Sequence, residues 1–332
     1  METHTEGHPL VSVIIPMYNV AEVMERSLNS IARQTERNVE WLFVDDCSAD
    51  DTCASLQAWI DRQEDKSHYR LLRHNVNQGV AVARNTGLDN ASGEYVCYLD
   101  ADDYMDTDAL ETMVREAETK HADIVGCEWM LTFARNERHI AQRDAETGEE
   151  LFRQMCQGTM RWNLWLFMVR RSLYEDHAVR FIPKVNMGED MMVMMKLALN
   201  AARVSIVHRP LYHYIQTNSN SLTKKYEASI PQIARNIEEV ERYLHATGRE
   251  ALQPYIHMLQ LSVKQPFLIS SKKSDYHVWQ TLFPEANAHI DENTTAPLRN
   301  RLLQKAALHG HYWFLRLYYY AIIKFVYGIL YK

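Results

Sequence analysis

Through the first half of the chain, short continuous apolar runs alternate with stretches whose apolar residues recur every three or four positions. Leu10–Pro16 (LVSVIIP) and Val39–Val44 (VEWLFV) read as strands buried on both faces, because a half-exposed strand would alternate apolar with polar. Tyr69–His74 and Tyr95–Leu99 (YVCYL) read as two more strands, and Ala21–Gln34, Asp50–Arg62 and Gly79–Asn90 as helices between them. This alternation predicts a doubly wound, mostly parallel α/β sheet with ligands at the carboxyl ends of its strands.

Met105–Lys120 predicts a helix, Ala122–Phe133 a strand, and the charged, aperiodic Ala134–Glu150 a mobile excursion. Trp162–Val169 (WNLWLFMV) reads as a buried strand and Arg203–Val207 as the last strand of the sheet. Asp190–Ala202 reads as a helix whose methionines serve packing. From about Asn220 the pattern is helical only, over Glu227–His245, Leu252–Ser271 and Asp275–Leu282.

The 332 residues are 46% hydrophobic, enough for a large core, which excludes a disordered or low-complexity chain. The net charge of −7 argues against non-specific nucleic-acid binding, which needs a basic surface. Five scattered cysteines without a C-x-x-C pair read as reduced cytoplasmic thiols rather than disulfides or a zinc site. METHTEGHPL has neither a basic nor an apolar leader region, so no signal peptide is expected.

Acidic residues cluster where two of the strands end, as Asp45-Asp46 and as Asp100-Ala101-Asp102-Asp103. Carboxylates gathered at the edge of a parallel sheet repel one another, and a bound cation or ligand is the natural compensator. The D-x-D suits Mg2+ or Mn2+, hard ions that take one or two carboxylates together with substrate phosphates. Gly188-Glu189-Asp190 precedes a helix, where paired acids read alone as dipole-stabilised caps, favoured by about 0.3–1 kcal/mol each.

Seven segments carry a resemblance to a known family: PLVSVIIPMYN (9–19), FVDDCSADDT (43–52), NQGVAVARNTGL (77–88), GEYVCYLDADD (93–103), WNLWLFMVRRSLYEDHAVRF (162–181), GEDMMVMMKL (188–197) and YHYIQTNSNSLT (212–223). Together, in this order, they resemble the inverting family 2 glycosyltransferases of bacterial surface-polysaccharide synthesis, with their GT-A fold. The resemblance implies a catalytic domain over 1–220; beyond it the sequence pattern itself predicts a helical region over 221–297 and a basic-aromatic amphipathic helix over 298–332.

It also implies roles. Pro16, Tyr18 and Asn19 would line the nucleotide pocket, with Tyr18 against the base, and Asp46 would accept from the uracil N–H. Arg84 would clamp a phosphate or hold an acidic neighbour. Asp100 would touch the ribose or donor sugar and Asp102 would ligate Mn2+ or Mg2+, with His213 of Y-H-Y as a second candidate for the phosphate or the metal. Asp103 reads instead as a helix-start carboxylate. Asp190, with Glu189 as its alternative, would be the base that deprotonates the acceptor hydroxyl. The implied reaction is a single inverting displacement from a UDP-sugar onto a glycan or a lipid-linked saccharide. A catalytically inactive sugar-nucleotide-binding scaffold is the alternative.

Tyr312–Tyr331 is an aromatic run with only Arg316 and Lys324 charged, borderline against the ~20 residues needed to span a bilayer. Its tyrosines and tryptophan prefer the headgroup region, and Arg299, Arg301 and Lys305 upstream each add about 1 kcal/mol of attraction to anionic lipid. Peripheral contact of Leu298–Lys332 with the cytoplasmic leaflet is the expectation. Packing on the protein itself, or on a second copy in a homo-oligomer, is the competing one.

Overall fold

A computed structural model describes Leu10–Gln216 and Tyr226–Tyr327, with side chains through Phe325 except for 226–228. Its elements in chain order are β1 (Val11–Met17), α1 (Glu25–Ala32), β2 (Val39–Asp45), α2 (Thr52–Asp61), β3 (Tyr69–Arg73), α3 (Val80–Asn90), β4 (Tyr95–Tyr98), β5 (Tyr104–Met105), α4 (Ala109–Lys120), β6 (Ile124–Thr132) and β7 (Glu137–Ile140). There follow α5 (Gly148–Gln157), β8 (Phe167–Arg170), α6 (Arg171–Asp176), α7 (Glu189–Asn200), β9 (Val204–Ile215), α8 (Tyr226–Ala246), α9 (Gln253–Lys264), α10 (Lys273–Thr281), α11 (Leu298–Leu308) and α12 (Tyr312–Tyr318).

The sheet order is β3-β2-β1-β4-β8-β6-β9-β5, with β7 beside β6. β1, β2, β3 and β4 are parallel, as are β6 and β9, whereas β8 runs antiparallel to both β4 and β6. The chain moves outward from β1 through β2 to β3 and then returns to place β4 on the other side of β1. That reversal opens a crevice at the carboxyl ends of β1 and β4, where α/β sheets bind ligands. All seven residues of β2 are buried, and so is β1 apart from Pro16, as the continuous apolar runs predict. Leu99 N–H donates to Ile14 O, so the even positions of β1 face β4, and that ladder ends at Ile14–Tyr98. Pro16, two residues further on, therefore costs no ladder hydrogen bond.

Four expectations change. Ala134–Glu150 is not one excursion: β7 pairs with β6, Ala145 is buried, and α5 begins at Gly148. Trp162–Val169 is not all strand, because Leu164–Leu166 is a 3-10 turn ahead of β8. The strand expected to end at Val207 runs on to Ile215 across a register shift at Cys127 and Glu128, with Pro210 opposite Glu128. Its polar stretch tolerates the sheet because His208 bonds Glu128 and Asp144, and Arg209 pairs with Asp108. That longer strand draws Tyr104–Met105 into β5, so the helix expected from Met105 starts at Ala109.

The chain divides into two compact units, Met1–Phe152 with Trp162–Val240, and Arg153–Arg161 with Glu241–Lys332. The boundary expected near 220 lies outside the described residues. The second unit is helical, with Tyr276, Trp279 and Leu268 fully buried. Its buried Lys264 ammonium donates to Leu282 O, Phe283 O and Asn287 Oδ1 at 2.5–3.1 Å over the Trp279 ring, so all three donors are satisfied. Among the described residues, no helix is long and apolar enough to cross a membrane.

Candidate active site

The loops that follow β1 and β2 are stitched together at the crevice. Asn19, at φ +52°, donates its N–H to Ser48 Oγ at 2.9 Å and accepts from Ala49 N–H at 2.8 Å. Val20 N–H donates to Thr52 Oγ1 at 2.9 Å. Asp46, just past β2, is buried and draws in the loop before α3: Gln78 N–H and His74 Nδ1 meet its Oδ1 at 2.8 and 2.7 Å, and Gly79 N–H meets its Oδ2 at 2.7 Å. A carboxylate accepts at about four positions, so Oδ2 retains capacity for another N–H. Gly79 stands at φ +89°, and a Cβ there would lie 2.3 Å from the Asn186 side chain, which accepts from Ala81 N–H at 3.1 Å. Only glycine lets that loop close onto α3.

On the other side of the crevice, Arg84 of α3 is 4% exposed and gathers acids from distant parts of the chain. Its Nη1 lies 2.8 Å from Glu189 Oε1 and 2.5 Å from Asp190 Oδ1, and its Nη2 lies 3.5 Å from Asp100 Oδ1. The Tyr98 and Phe181 rings flank it at 6.0 and 5.8 Å, a low-dielectric setting in which the pairing is strong. One cation does not neutralise three carboxylates. Burial, followed by the charge of Asp190, pushes Glu189 up to about 7, although Arg84 opposes the shift. Burial likewise pushes Asp100 up to about 6, with Asp102 and Asp190 adding to the rise and Arg84 again opposing it. Those carboxylates in turn raise Arg84 further.

A cleft of about 1720 Å3 receives all of these groups. Pro16, Tyr18, Asn19, Asp46, Arg84, Asp100, Asp102, Glu189 and Asp190 all line it, so nine of the ten residues singled out from the sequence meet in one space, with Tyr18 half exposed. His213 is not among the lining residues: its ring stacks on Tyr104 at 4.2 Å, and its Nε2 lies 2.9 Å from Asp106 Oδ1. Arg84 meets acidic neighbours, one of the two roles open to it. Asp103 is not a helix-start carboxylate. It is fully buried, accepts from Tyr212 OH at 2.9 Å and Ile215 N–H at 2.8 Å, and so anchors the acidic turn to β9.

Three residues that the sequence did not single out complete the site. Tyr212 OH also accepts from Asp100 N–H at 3.2 Å, so one phenol orients the backbone of the D-x-D. Trp165 stacks on Tyr212 at 4.3 Å and on Tyr214 at 5.5 Å at the cleft wall, where Leu164 N–H reaches Asp190 Oδ2 at 3.4 Å. Asn186, two residues before Gly188, braces the loop around Gly79. The apolar run around Trp165 reads as a plain strand, and nothing local in the sequence links Asn186 to Gly79.

Residues 12–182 match the model of glycosyl transferase family 2. The uncharacterized glycosyltransferase EpsJ of Bacillus subtilis is 31% identical over 223 residues, which span 65% of this chain and 63% of that relative, so the chain spans less than two thirds of its length. The crystal structure of Staphylococcus aureus TarS 1–349 with UDP-GlcNAc superposes with a TM-score of 0.61 at 20% identity, over 90% of this chain and 92% of that one. The mannosyltransferase PcManGT of Pyrobaculum calidifontis, with GDP-Man and Mn2+, superposes with a TM-score of 0.57 at 19% identity, over 98% and 88% of the two chains. At these identities the superpositions speak for the fold, which is the GT-A fold of both enzymes. With the family match over more than half its length, this chain belongs to glycosyl transferase family 2.

Proposed function

We propose that the protein transfers a sugar from a UDP-sugar to a hydroxyl of a glycan or lipid-linked saccharide, in one displacement that inverts the anomeric carbon. The observation that carries this reading is that Asp190, from the start of α7, opens on the same cleft as Asp46, Asp100 and Asp102. A displacement of this kind needs a base near the donor site, because an acceptor hydroxyl is a weak nucleophile until its proton leaves. At about 1720 Å3 the cleft exceeds the ~300–1,000 Å3 of a typical single-ligand pocket, as two substrates require.

In this reading Asp46 Oδ2 accepts from the uracil N–H, Tyr18 covers the base at the rim, and Asp100 meets the ribose or donor sugar. Arg84 holds Asp190 in place, and Asp190 takes the acceptor proton as attack proceeds. Glu189, deeper and already bonded to the same guanidinium, tunes the pair.

Among the described residues no three His, Cys, Asp or Glu side chains form a metal cage, so a divalent cation would rest on one or two carboxylates together with substrate phosphates; Asp102 raises the cost of ionising Asp100, and Arg84 compensates only in part. Asp102 would hold Mn2+ or Mg2+ there, and His213 would join only by giving up Asp106. Such an ion, when bound, would neutralise charge growing on the departing nucleoside diphosphate.

The test is a thermal-shift panel of UDP, GDP, dTDP and CMP with and without Mn2+, followed by UDP-sugar turnover in wild type and Asp190→Asn. The expected result is a UDP shift that needs Mn2+, fails in Asp102→Ala and persists in Asp190→Asn, with turnover lost in both variants and binding kept only in Asp190→Asn. Nucleotide binding without any turnover in the wild type would favour the inactive scaffold instead.

A further inference from the structure

From Leu298 to Lys332 the sequence carries six Lys or Arg and no Asp or Glu, in a chain whose net charge is −7. The segment expected to be one helix is two, broken at Gly310 with φ +70°, and continued by a π-helical run over Tyr319–Tyr327. Within the second unit, α11 and α12 pack side by side, each with an inner and an outer surface. Leu303, Ala306, Ala307 and Leu315 are buried, and Tyr312 OH is bonded to Gln280 Oε1 at 2.9 Å. These contacts seat the helices on their own unit.

Among the described residues, the outer surface carries large apolar side chains that stay exposed. Trp313, Leu317 and Tyr320 recur at intervals of four and three, the spacing of one helix face, and are 68, 57 and 53% exposed; Phe325 is 66% exposed. Leu298 and Leu302 of α11 are 64 and 49% exposed. Cations flank this row: Arg299 and Arg316 are exposed, and Lys324 lies 6.0 Å from the Tyr320 ring. Adjacent exposed side chains this large and apolar mark a surface that binds something.

We propose that this face docks on an anionic lipid bilayer, with the Trp, Leu, Tyr and Phe row in the headgroup region and the cations on lipid phosphates. Two observations favour lipid over a second copy of the chain. A symmetric dimer through this face would set cation against cation with no carboxylate in the segment to pair them. Trp and Tyr beside Lys and Arg also match the chemistry of the membrane interface, where an apolar body and a polar tip are both satisfied. The helices lie on the surface rather than across it.

The full chain should float with vesicles of phosphatidylcholine and phosphatidylglycerol, and not with phosphatidylcholine alone. The double variants Trp313→Glu/Leu317→Glu and Arg299→Glu/Lys324→Glu should each weaken that binding by at least about tenfold, with unchanged circular dichroism and melting. Equal partition to both vesicle types, or to neither, would overturn the proposal. So would lipid-free dimers in sedimentation velocity that Trp313→Glu dissolves. Flotation does not depend on turnover, so this inference and the proposed transferase activity fail separately.

Discussion

Arg84 Nη1 bonds Glu189 Oε1 at 2.8 Å and Asp190 Oδ1 at 2.5 Å, across 105 and 106 residues of sequence. This one guanidinium ties the helix after the Asp46 loop to the start of α7, and its Nη2 lies 3.5 Å from Asp100 Oδ1. A planar fork can serve carboxylates on two sides, whereas an ammonium is a single point charge. Arg84→Lys is therefore expected to keep the fold and lose at least about tenfold in transfer, because Asp190 is no longer held. Arg84→Met should cost about 3–5 kcal/mol in denaturant unfolding, since it leaves buried carboxylates without their cation. Wild-type transfer rates in Arg84→Lys would separate this arginine from the chemistry.

Asp190→Asn keeps the shape and the hydrogen bond from Leu164 but cannot take a proton. Turnover should fall by about 10²–10⁴, the usual worth of a positioned base, while the melting shift produced by UDP stays near the wild-type value. Glu189→Gln, assayed alongside, should retain far more turnover. If the two variants swap these phenotypes, the base is Glu189.

Glu189 also makes stability depend on pH in a particular direction. Its acid form is favoured in the folded protein, with a pKa near 7 against an ordinary 4.5, chiefly through burial. The folded state thus binds more protons between these values, and the contribution of Glu189 is fully present below 4.5 and is lost as pH rises through about 7. Glu189→Gln removes this dependence. It should melt higher than wild type at pH 8 and close to wild type at pH 5, by differential scanning fluorimetry across the range. A constant difference between the two proteins at both pH values would contradict the assignment.

Tyr212 OH is the shared support of the acidic turn, donating to Asp103 Oδ2 and accepting from Asp100 N–H. Tyr212→Phe leaves a fully buried carboxylate short of a donor and should cost about 1–3 kcal/mol of stability. Nucleotide affinity should fall too, because Asp100 loses its backbone tether. Calorimetric titration with UDP and urea unfolding read the two effects separately.

Gly79→Ala tests the loop that closes on Asp46. At φ +89°, with Asn186 2.3 Å from the added carbon, alanine is strained twice over and should cost on the order of 1–3 kcal/mol. Pairing it with Asn186→Ala should recover part of that loss. No recovery would place the strain in the backbone alone.

Local pattern was enough to show where the buried strands run and that acids stand at their carboxyl ends, because burial on both faces demands continuous apolar runs and a parallel sheet collects its ligands at one edge. Asp46 and Asp102 could be picked out for that reason, whereas Asp190, in the first turn of a helix, stood out only through the family resemblance. Partner choice was not legible. Nothing near Arg84 in sequence says whether it turns to a phosphate or to Asp190, and Asp103 looks like any acid before a helix until Tyr212 and Ile215 arrive from 109 and 112 residues away. His213 belongs to a strand whose polar residues read as its end, yet β9 continues and delivers it to Asp106 and Tyr104. These outcomes depend on which groups are desolvated together, and that is decided only when distant elements close on one another.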